Sequence, residues 1–375
     1  MNRWAIDIDR AAIDRAALVD DPETPLAAGE IEVAPVLIAI TANNVTYAAL
    51  GEPMGLLGSD GGYWDFFGPR DAPGRLPVWG FARVTRSAHP GFSQGDEFYG
   101  YYALASHTRL LPERVGAHGF VDASPHRAHL PALYNHYQAV SGLADYDAAD
   151  RDLWPIFRPL YLTGWLIADQ LDDERDHGAA SVIVTSASSK TACGFAHAFR
   201  EREARPELVG LTSPASAAFV GGTGLYDRVV TYDAIETLDA GTPSALIDIA
   251  GDAGVAKRIH AHWGEALKLS MVVGATHWEA RAGFGGQGRT GFFAPARMAK
   301  RSAEWGGRVL NERVGAAWRR FMADARALSA IETREGADAA LAAYAEVVAG
   351  RADPRVGTVI ALGHRPGLTA PAPSA

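Results

Sequence analysis

Between residues 179 and 276 the chain alternates two periodicities, and that alternation restricts its possible folds more than any other feature. Short apolar, β-branched runs (ASVIVTSA, ELVGLTS, DRVVTY, SALIDIAG and LKLSMVVGAT) are separated by helical patterns over 190–203, 214–224 and 254–265. Strands alternating with helices build right-handed βαβ units and a parallel sheet, whose ligand site lies at the C-terminal strand ends. The first of those ends is the turn within SVIVTSASSKTACGFA (181–196). Strand, small-residue turn and helix follow one another as in a dinucleotide site, yet the turn holds no glycine.

The first 125 residues read differently. They are rich in glycine, proline and aromatic residues, with short apolar runs such as EIEVAPVLIAI (30–40), PVWGFARVTRS (77–87) and GFSQGDEFYGYYALASHTRLLP (91–112). Short strands between turn signals make this a β-rich, barrel-like unit. From about residue 128, HLPALYNHYQAVSG and WPIFRPLYLTGWLIADQLDDERDHG carry apolar residues at helical spacing. After the glycine-rich loop GFGGQGRTGFFAP (283–295), two long helices are expected, ARMAKRSAEWGGRVLNERVGAAWRRFMADARAL and EGADAALAAYAEVVAG. A last strand, VGTVIAL (356–362), could join either sheet.

A length of 375 residues accommodates two domains of roughly 100–200 residues each. The formal net charge of −9, from 35 basic and 44 acidic residues, argues against a general nucleic-acid binder. The single cysteine, Cys193, can form neither an intrachain disulfide nor a multi-thiolate zinc site, which fits a cytoplasmic protein. The N-terminal MNRWAIDIDRAAIDRAAL has no apolar core of signal-peptide length. No apolar stretch approaches the roughly 20 residues of a membrane span, so neither export nor a membrane is expected.

In order, these parts resemble the zinc-independent medium-chain dehydrogenase/reductase superfamily of quinone and enoyl reductases. ITANNVTYAALGE (40–52) looks like its early segment lining the substrate side of the cleft, and SQGDEFYG (93–100) is similar to its xxGDxVxG turn. RPLYLTGWLIADQL (158–171) looks like its LPLxxLTAWxxL helix, and VVGAT (272–276) resembles the strand end beside the nicotinamide. More narrowly, TSASSKTA with GLTSPASAAFVGGTGLYDRVVTYDAI is similar to a bacterial branch known as a domain of unknown function, DUF2855. The resemblance implies an α/β fold with two domains: a GroES-like β-barrel substrate domain over 1–130, completed by 300–375, and a Rossmann-like, doubly wound parallel-sheet domain over 150–299. It further implies an NADP cofactor, a metal-free reductase and a homodimer joined at sheet edges.

The superfamily's Gly-x-x-Gly-x-x-Gly positions fall here on Ser186, Ser189 and Ala192. Glycines let the backbone approach a pyrophosphate at a helix N-terminus. Ser186, Ser188, Ser189 and Thr191 keep small size and add hydroxyl donors, and Lys190 adds positive charge. The same letters also read as a plain polar helix cap; the strand and helix context favours the nucleotide. A P-loop starting at Val184 lacks both glycines and is excluded. The second strand ends in Thr212-Ser213 without the acid that holds an NAD ribose and would repel a 2′-phosphate, so NADP is favoured over NAD. Thr212, Ser213 and Ser216 could bond that phosphate, and Tyr232 sits where the resemblance places a tyrosine beside it. The basic residue usual after the second strand is missing, which makes Lys190 the expected substitute cation. Gly251, Gly274 and Thr276 close later strands and complete the expected cofactor contacts, with Thr163 holding the nicotinamide amide.

Hydride chemistry belongs to the cofactor, and the protein must orient the substrate and supply a proton. No GHE segment and no ligand cysteine are present, so metal is expected to play no part. The easier substrate is then an activated double bond or a quinone, because its reduced form is an enolate or phenolate that a weak acid protonates. Tyr47 is the expected donor and Asn44 the carbonyl-positioning group; the competing readings are a core tyrosine and a turn asparagine. His126, His129 and His136 share roughly one helical face but are interrupted by Pro131, and solvated or substrate-facing histidines outweigh a metal site. Arg289, in the glycine-rich loop with Arg281 and Gln287, reads either as part of a mobile cover meeting an acidic substrate or phosphate, or as a surface-loop residue. A rival to catalysis is a nucleotide-binding or sensor protein on the same fold.

Overall fold

The computed structural model describes residues 3–53, 61–68, 72–144, 146–273 and 288–362. The alternating segment forms six parallel strands in the spatial order Arg228–Thr231, Glu207–Thr212, Ser181–Val184, Ser244–Asp248, Leu267–Val272 and Thr290–Gly291. In chain order this is 3-2-1-4-5-6, which reverses direction between Ser181–Val184 and Ser244–Asp248 and opens a crevice at their C-terminal ends. Ser181–Val184 is buried throughout, as a central parallel strand covered on both faces requires.

Helix Trp154–Asp173 lies across helix Lys190–Arg200, and their approach depends on two glycines. A Cβ at Gly164 would stand 2.3 Å from the Phe195 nitrogen, and one at Gly194 would stand 3.0 Å from the Tyr161 Cα. Helix Gly307–Leu328 packs on the same layer through Trp318 and Phe321, the Phe321 ring lying 4.4 Å from that of Tyr161 and 5.3 Å from that of Phe157. Residues as far as Leu328 thus share one core with the parallel-sheet unit, and Ala39, Phe81, Tyr99 and Val359 of the β-rich unit pack into the same cluster.

The long helix expected over 296–328 is two helices, Ala294–Trp305 and Gly307–Leu328, parted at Gly306, whose φ of +79° is left-handed backbone that favours glycine. Strand Ala330–Glu335, helix Gly336–Val348 and strand Val356–Ala361 then form a parallel βαβ unit. Val356–Ala361 pairs antiparallel with Ile31–Ile40, so the last strand joins the β-rich sheet. That sheet continues through Pro77–Ser87, Glu97–Ala103, His136–Ala139, Gly119–Asp122 and Pro112–Gly116.

The helical reading of 128–142 fails for a local reason. Pro125 and Pro131 limit the segment to the short turns Pro125–Arg127 and Ala132–Asn135, after which His136–Ala139 runs as a strand. Tyr137 stacks on Phe120 of the neighbouring strand with centroids 5.0 Å apart. Buried Arg127 bonds Asn135 Oδ1, Tyr137 Oη and the Tyr134 carbonyl, and faces Asp122 at 2.8 Å. A buried charge satisfied this fully fixes the irregular segment.

Candidate active site

The turn after Ser181–Val184 is held by its own polar groups. Ser186 adopts φ +53°, and its N–H donates to Tyr232 Oη at 2.8 Å. The Ala187 N–H donates to the Leu211 carbonyl at 3.0 Å, and the Ala187 carbonyl accepts from Tyr226 Oη at 2.9 Å. Ser189 N-caps helix Lys190–Arg200, its Oγ accepting from the Ala192 N–H at 3.2 Å. Beneath the turn, Thr185 Oγ1 donates to Asp248 Oδ1 at 2.8 Å and accepts from the Ile249 and Ala250 N–H groups. The crevice between the two strands is thereby tied across its floor.

Above that floor lies a cavity of about 970 Å³ between the turn and the β-rich unit. Ser186, Ser188, Ser189 and Thr191 line it, as do Thr212, Ser213, Tyr232 and Thr163. No acid stands at the end of Glu207–Thr212. Ser216 does not line it, and its Oγ lies 3.3 Å from that of Ser213. Gly251 donates its N–H to Asp248 Oδ1 at 3.0 Å, bracing the strand end. Gly274 and Thr276 lie outside the described residues.

Lys190 also lines the cavity, but its ammonium donates to the Pro354 and Val356 carbonyls at 3.1 and 2.8 Å. Burial lowers its pKa to about 8, against the opposing influence of Cys193 and Asp353. The cation expected to meet a phosphate instead ties the first residue of the helix to the closing segment of the β-rich unit. Arg289 departs from expectation as well. Its guanidinium donates to Asp248 Oδ2 at 2.6 Å, with the side chains 10% and 1% exposed, so it forms a buried ion pair at the strand end rather than a cover over the cleft. Its companions Arg281 and Gln287 lie outside the described residues.

Thr163 lines a second cavity too, of about 1140 Å³, and among the described residues it is the one common to both. The second cavity is walled by aromatic side chains, among them Tyr47, Trp79, Tyr99 and Tyr134. Tyr47 is carried on helix Ala42–Ala49, and its Oη accepts from Trp79 Nε1 at 3.1 Å. Burial pushes its pKa up to about 12, against hydrogen bonds with Trp79, Asn43 and Tyr101, so it is a protonated phenol at neutral pH. Asn44 is committed elsewhere. Its Oδ1 accepts from the Thr41 N–H at 2.8 Å and its Nδ2 donates to the Pro77 carbonyl at 3.0 Å, which makes it a buried capping residue.

Sequence reasoning passed over Asn43, which lines the first cavity and hydrogen-bonds Tyr47; its i−4 spacing from Tyr47 on one helix was the available signal. It also passed over Trp79, which only strand pairing brings to Tyr47, and Arg351, which reaches the first cavity from the closing segment. Arg334, on the same wall, is paired with Glu346 and Glu332. Of the three histidines, His126 Nε2 lies 3.2 Å from the Phe66 carbonyl, His129 Nε2 lies 3.8 Å from Asp65, and His136 borders the aromatic cavity. No cluster of three or more His, Cys, Asp or Glu able to hold a metal occurs among the described residues.

No curated protein matches the chain. The fold is similar to that of CurA from Vibrio vulnificus, with a TM-score of 0.65 and 12% identity over 97% of this chain and 99% of that one. It is also similar to CurA from the same organism in complex with NADPH, with a TM-score of 0.61 and 12% identity over 96% and 100%. The quinone oxidoreductase from Coxiella burnetii follows, with a TM-score of 0.52 and 12% identity over 96% and 99%. These likenesses identify the fold as a GroES-like domain joined to a Rossmann-like domain. A family model described as "Protein of unknown function (DUF2855)" matches residues 38–353, and the chain belongs to that family.

Proposed function

We propose that the protein is a metal-free, NADPH-dependent reductase that delivers a hydride to an activated double bond or a quinone. One observation carries the reading: a hydroxyl-lined crevice at the Rossmann switch point and an aromatic cavity meet at Thr163. Structures of similar fold include CurA in complex with NADPH and the yhdH oxidoreductase from Salmonella enterica in complex with NADP.

The residues fit such a cofactor. Ser186 holds the left-handed backbone that a glycine would hold, and the N-terminus of helix Lys190–Arg200 borders the crevice. Ser186, Ser188 and Thr191 would hold the pyrophosphate, Thr212, Ser213 and Tyr232 the adenosine phosphate, and Thr163 the nicotinamide amide. When bound, the cofactor supplies the hydride. Tyr47, protonated and desolvated beside Trp79, would give its proton to the developing enolate or phenolate oxygen and recover it from solvent.

A second reading, nucleotide binding without turnover, is favoured by the hydrogen bonds that already engage the Tyr47 hydroxyl. Titrating NADPH and NADH by fluorescence, then following NADPH consumption with enones, quinones and enoyl thioesters, separates the two. Absent NADPH binding refutes the first reading, and absent binding of NADPH and NADH alike refutes both; tight binding without consumption leaves only the second. We place the protein in the cytoplasm, in keeping with a buried free thiol at Cys193 whose pKa burial raises to about 12. We further propose a homodimer, with the second copy added at the sheet edge occupied by Thr290–Gly291.

A further inference from the structure

The aromatic cavity is larger than reduction of a small quinone requires, and its charge is one-sided. Its volume of about 1140 Å³ exceeds the roughly 300–1,000 Å³ usual for small-molecule sites. Its floor runs across four strands through the register partners Tyr99, Gln138, Gly119 and Gly116. Three inter-strand steps at about 4.8 Å each give a track of roughly 14 Å. Trp79, Tyr47 and Arg158 stand by Tyr99, whereas Arg114 stands toward Gly116 with His136 beside it and His118 in the turn that follows. Pro295, Met298, Leu310 and Val314 of the two helices after residue 293 form an apolar wall. The protein carries a formal charge of −9, yet the described residues lining this cavity include Arg114 and Arg158 and neither aspartate nor glutamate.

Arg114 is placed there by a special backbone feature. The pairing of Pro112–Gly116 with Gly119–Asp122 shifts register between Glu113 and Gly116, and within that bulge Arg114 takes φ +51°. A bulge re-aims the side chain it carries, and left-handed backbone at a non-glycine residue is strained. The neighbouring Glu113 does not line the cavity.

From the track, the acid-free lining and the bulged arginine, we infer that the substrate is an elongated hydrophobic molecule with its reducible group at Tyr47 and an anionic terminus at Arg114. This rests on the reductase reading and adds the substrate class to it. Apolar walls and aromatic faces hold the chain, and the arginine donates charge-assisted hydrogen bonds to a carboxylate or phosphate. His118, whose Nδ1 lies 3.3 Å from the Gly142 carbonyl, and His136 line the same end of the cavity.

The test compares an alkyl vinyl ketone bearing a terminal carboxylate, long enough to span the track, with its methyl ester. The readout is the acid-to-ester ratio of kcat/KM with NADPH. In parallel, calorimetry measures binding of the corresponding saturated acid and ester to the protein alone. The expected ratio is about tenfold in favour of the acid, carried by KM. In Arg114→Asn, whose side chain tolerates left-handed backbone, it falls to near one and the calorimetric preference for the acid falls with it. A wild-type ratio near one, or a preference that survives in Arg114→Asn, overturns the inference and leaves the reductase reading standing. Consumption of NADPH with neither compound, while calorimetry still shows the acid preference, overturns the reductase reading and retains the anion site.

Discussion

Lys190 offers a quantitative test of how the two halves are joined. Its ammonium is desolvated against the Pro354 and Val356 carbonyls, and its pKa falls from 10.5 to about 8. A lysine whose folded pKa lies below its unfolded value binds fewer protons when folded, so stability rises with pH between the two values. Below pH 8 both states are protonated and the penalty is constant; above 10.5 both are neutral and it is gone. For these two pKa values the gain from about pH 7 to about pH 9.5 is about 2 kcal/mol. Lys190→Met removes the titrating group and leaves every other one in place. Denaturant unfolding of both proteins at the two pH values should show the wild type gaining about 2 kcal/mol more than the variant. Equal pH responses would refute the desolvated tie and return the ammonium to solvent in the crevice. The same variant should keep its NADPH dissociation constant within about threefold, because a lysine that bonds carbonyls contributes little to a phosphate; a loss on the order of a hundredfold, or about 3 kcal/mol, would restore the phosphate role that the sequence suggests.

Three further perturbations probe the site. Tyr47→Phe should lower kcat by about a hundredfold with KM little changed, and stopped-flow traces showing full turnover would remove Tyr47 as proton donor. Because the Tyr47 pKa lies at about 12, no activity limb below that pH should belong to its ionisation, which a pH profile of the wild type and the variant checks. Arg351→Ala should weaken NADPH binding about tenfold and flatten its salt dependence, read by fluorescence titration at two ionic strengths; an unchanged constant would take Arg351 out of the cofactor wall. Ser186→Gly should leave the protein equally stable or stabilise it by up to about 1 kcal/mol, whereas Ser186→Val, with a β-branched side chain at φ +53°, should destabilise it by about 1–3 kcal/mol, both by thermal or denaturant unfolding.

Elements with one dominant period were legible. The strand starting at Ser181, the helix starting at Lys190 and the alternation of strand with helix follow from runs of buried β-branched residues and from caps. The segment around Tyr137 was not, because its apolar spacing serves a strand between two prolines and a buried arginine, and neither declares itself locally. Side-chain roles were the least legible. Asn44, Lys190 and Arg289 have residue types suited to binding, but each is consumed by a partner far along the chain: the Pro77 carbonyl, the Pro354 and Val356 carbonyls, and Asp248. Long-range pairing decides which polar atoms remain for a ligand, and the sequence does not display it. Trp79 and Arg351 reach their cavities by the same kind of pairing.

The glycine-free turn is the case where letters and geometry part most clearly. Of the three positions that match the superfamily's glycines, Ser189 has an extended φ of −72° suited to an N-cap, and Ala192 lies inside the helix and is fully buried. Neither needs a glycine's backbone. Ser186 alone takes positive φ, and there Tyr232 accepts its N–H while the Ser186 carbonyl accepts from the Ser189 N–H. Two hydrogen bonds at 2.8 Å can together offset the roughly 1–2 kcal/mol of left-handed strain. The turn therefore holds at Ser186 the left-handed backbone that a glycine adopts freely, with a side chain in place of a hydrogen. The conformational demand of the motif resides in its first position, and at that position a tyrosine two strands away does what the glycine's freedom would have done.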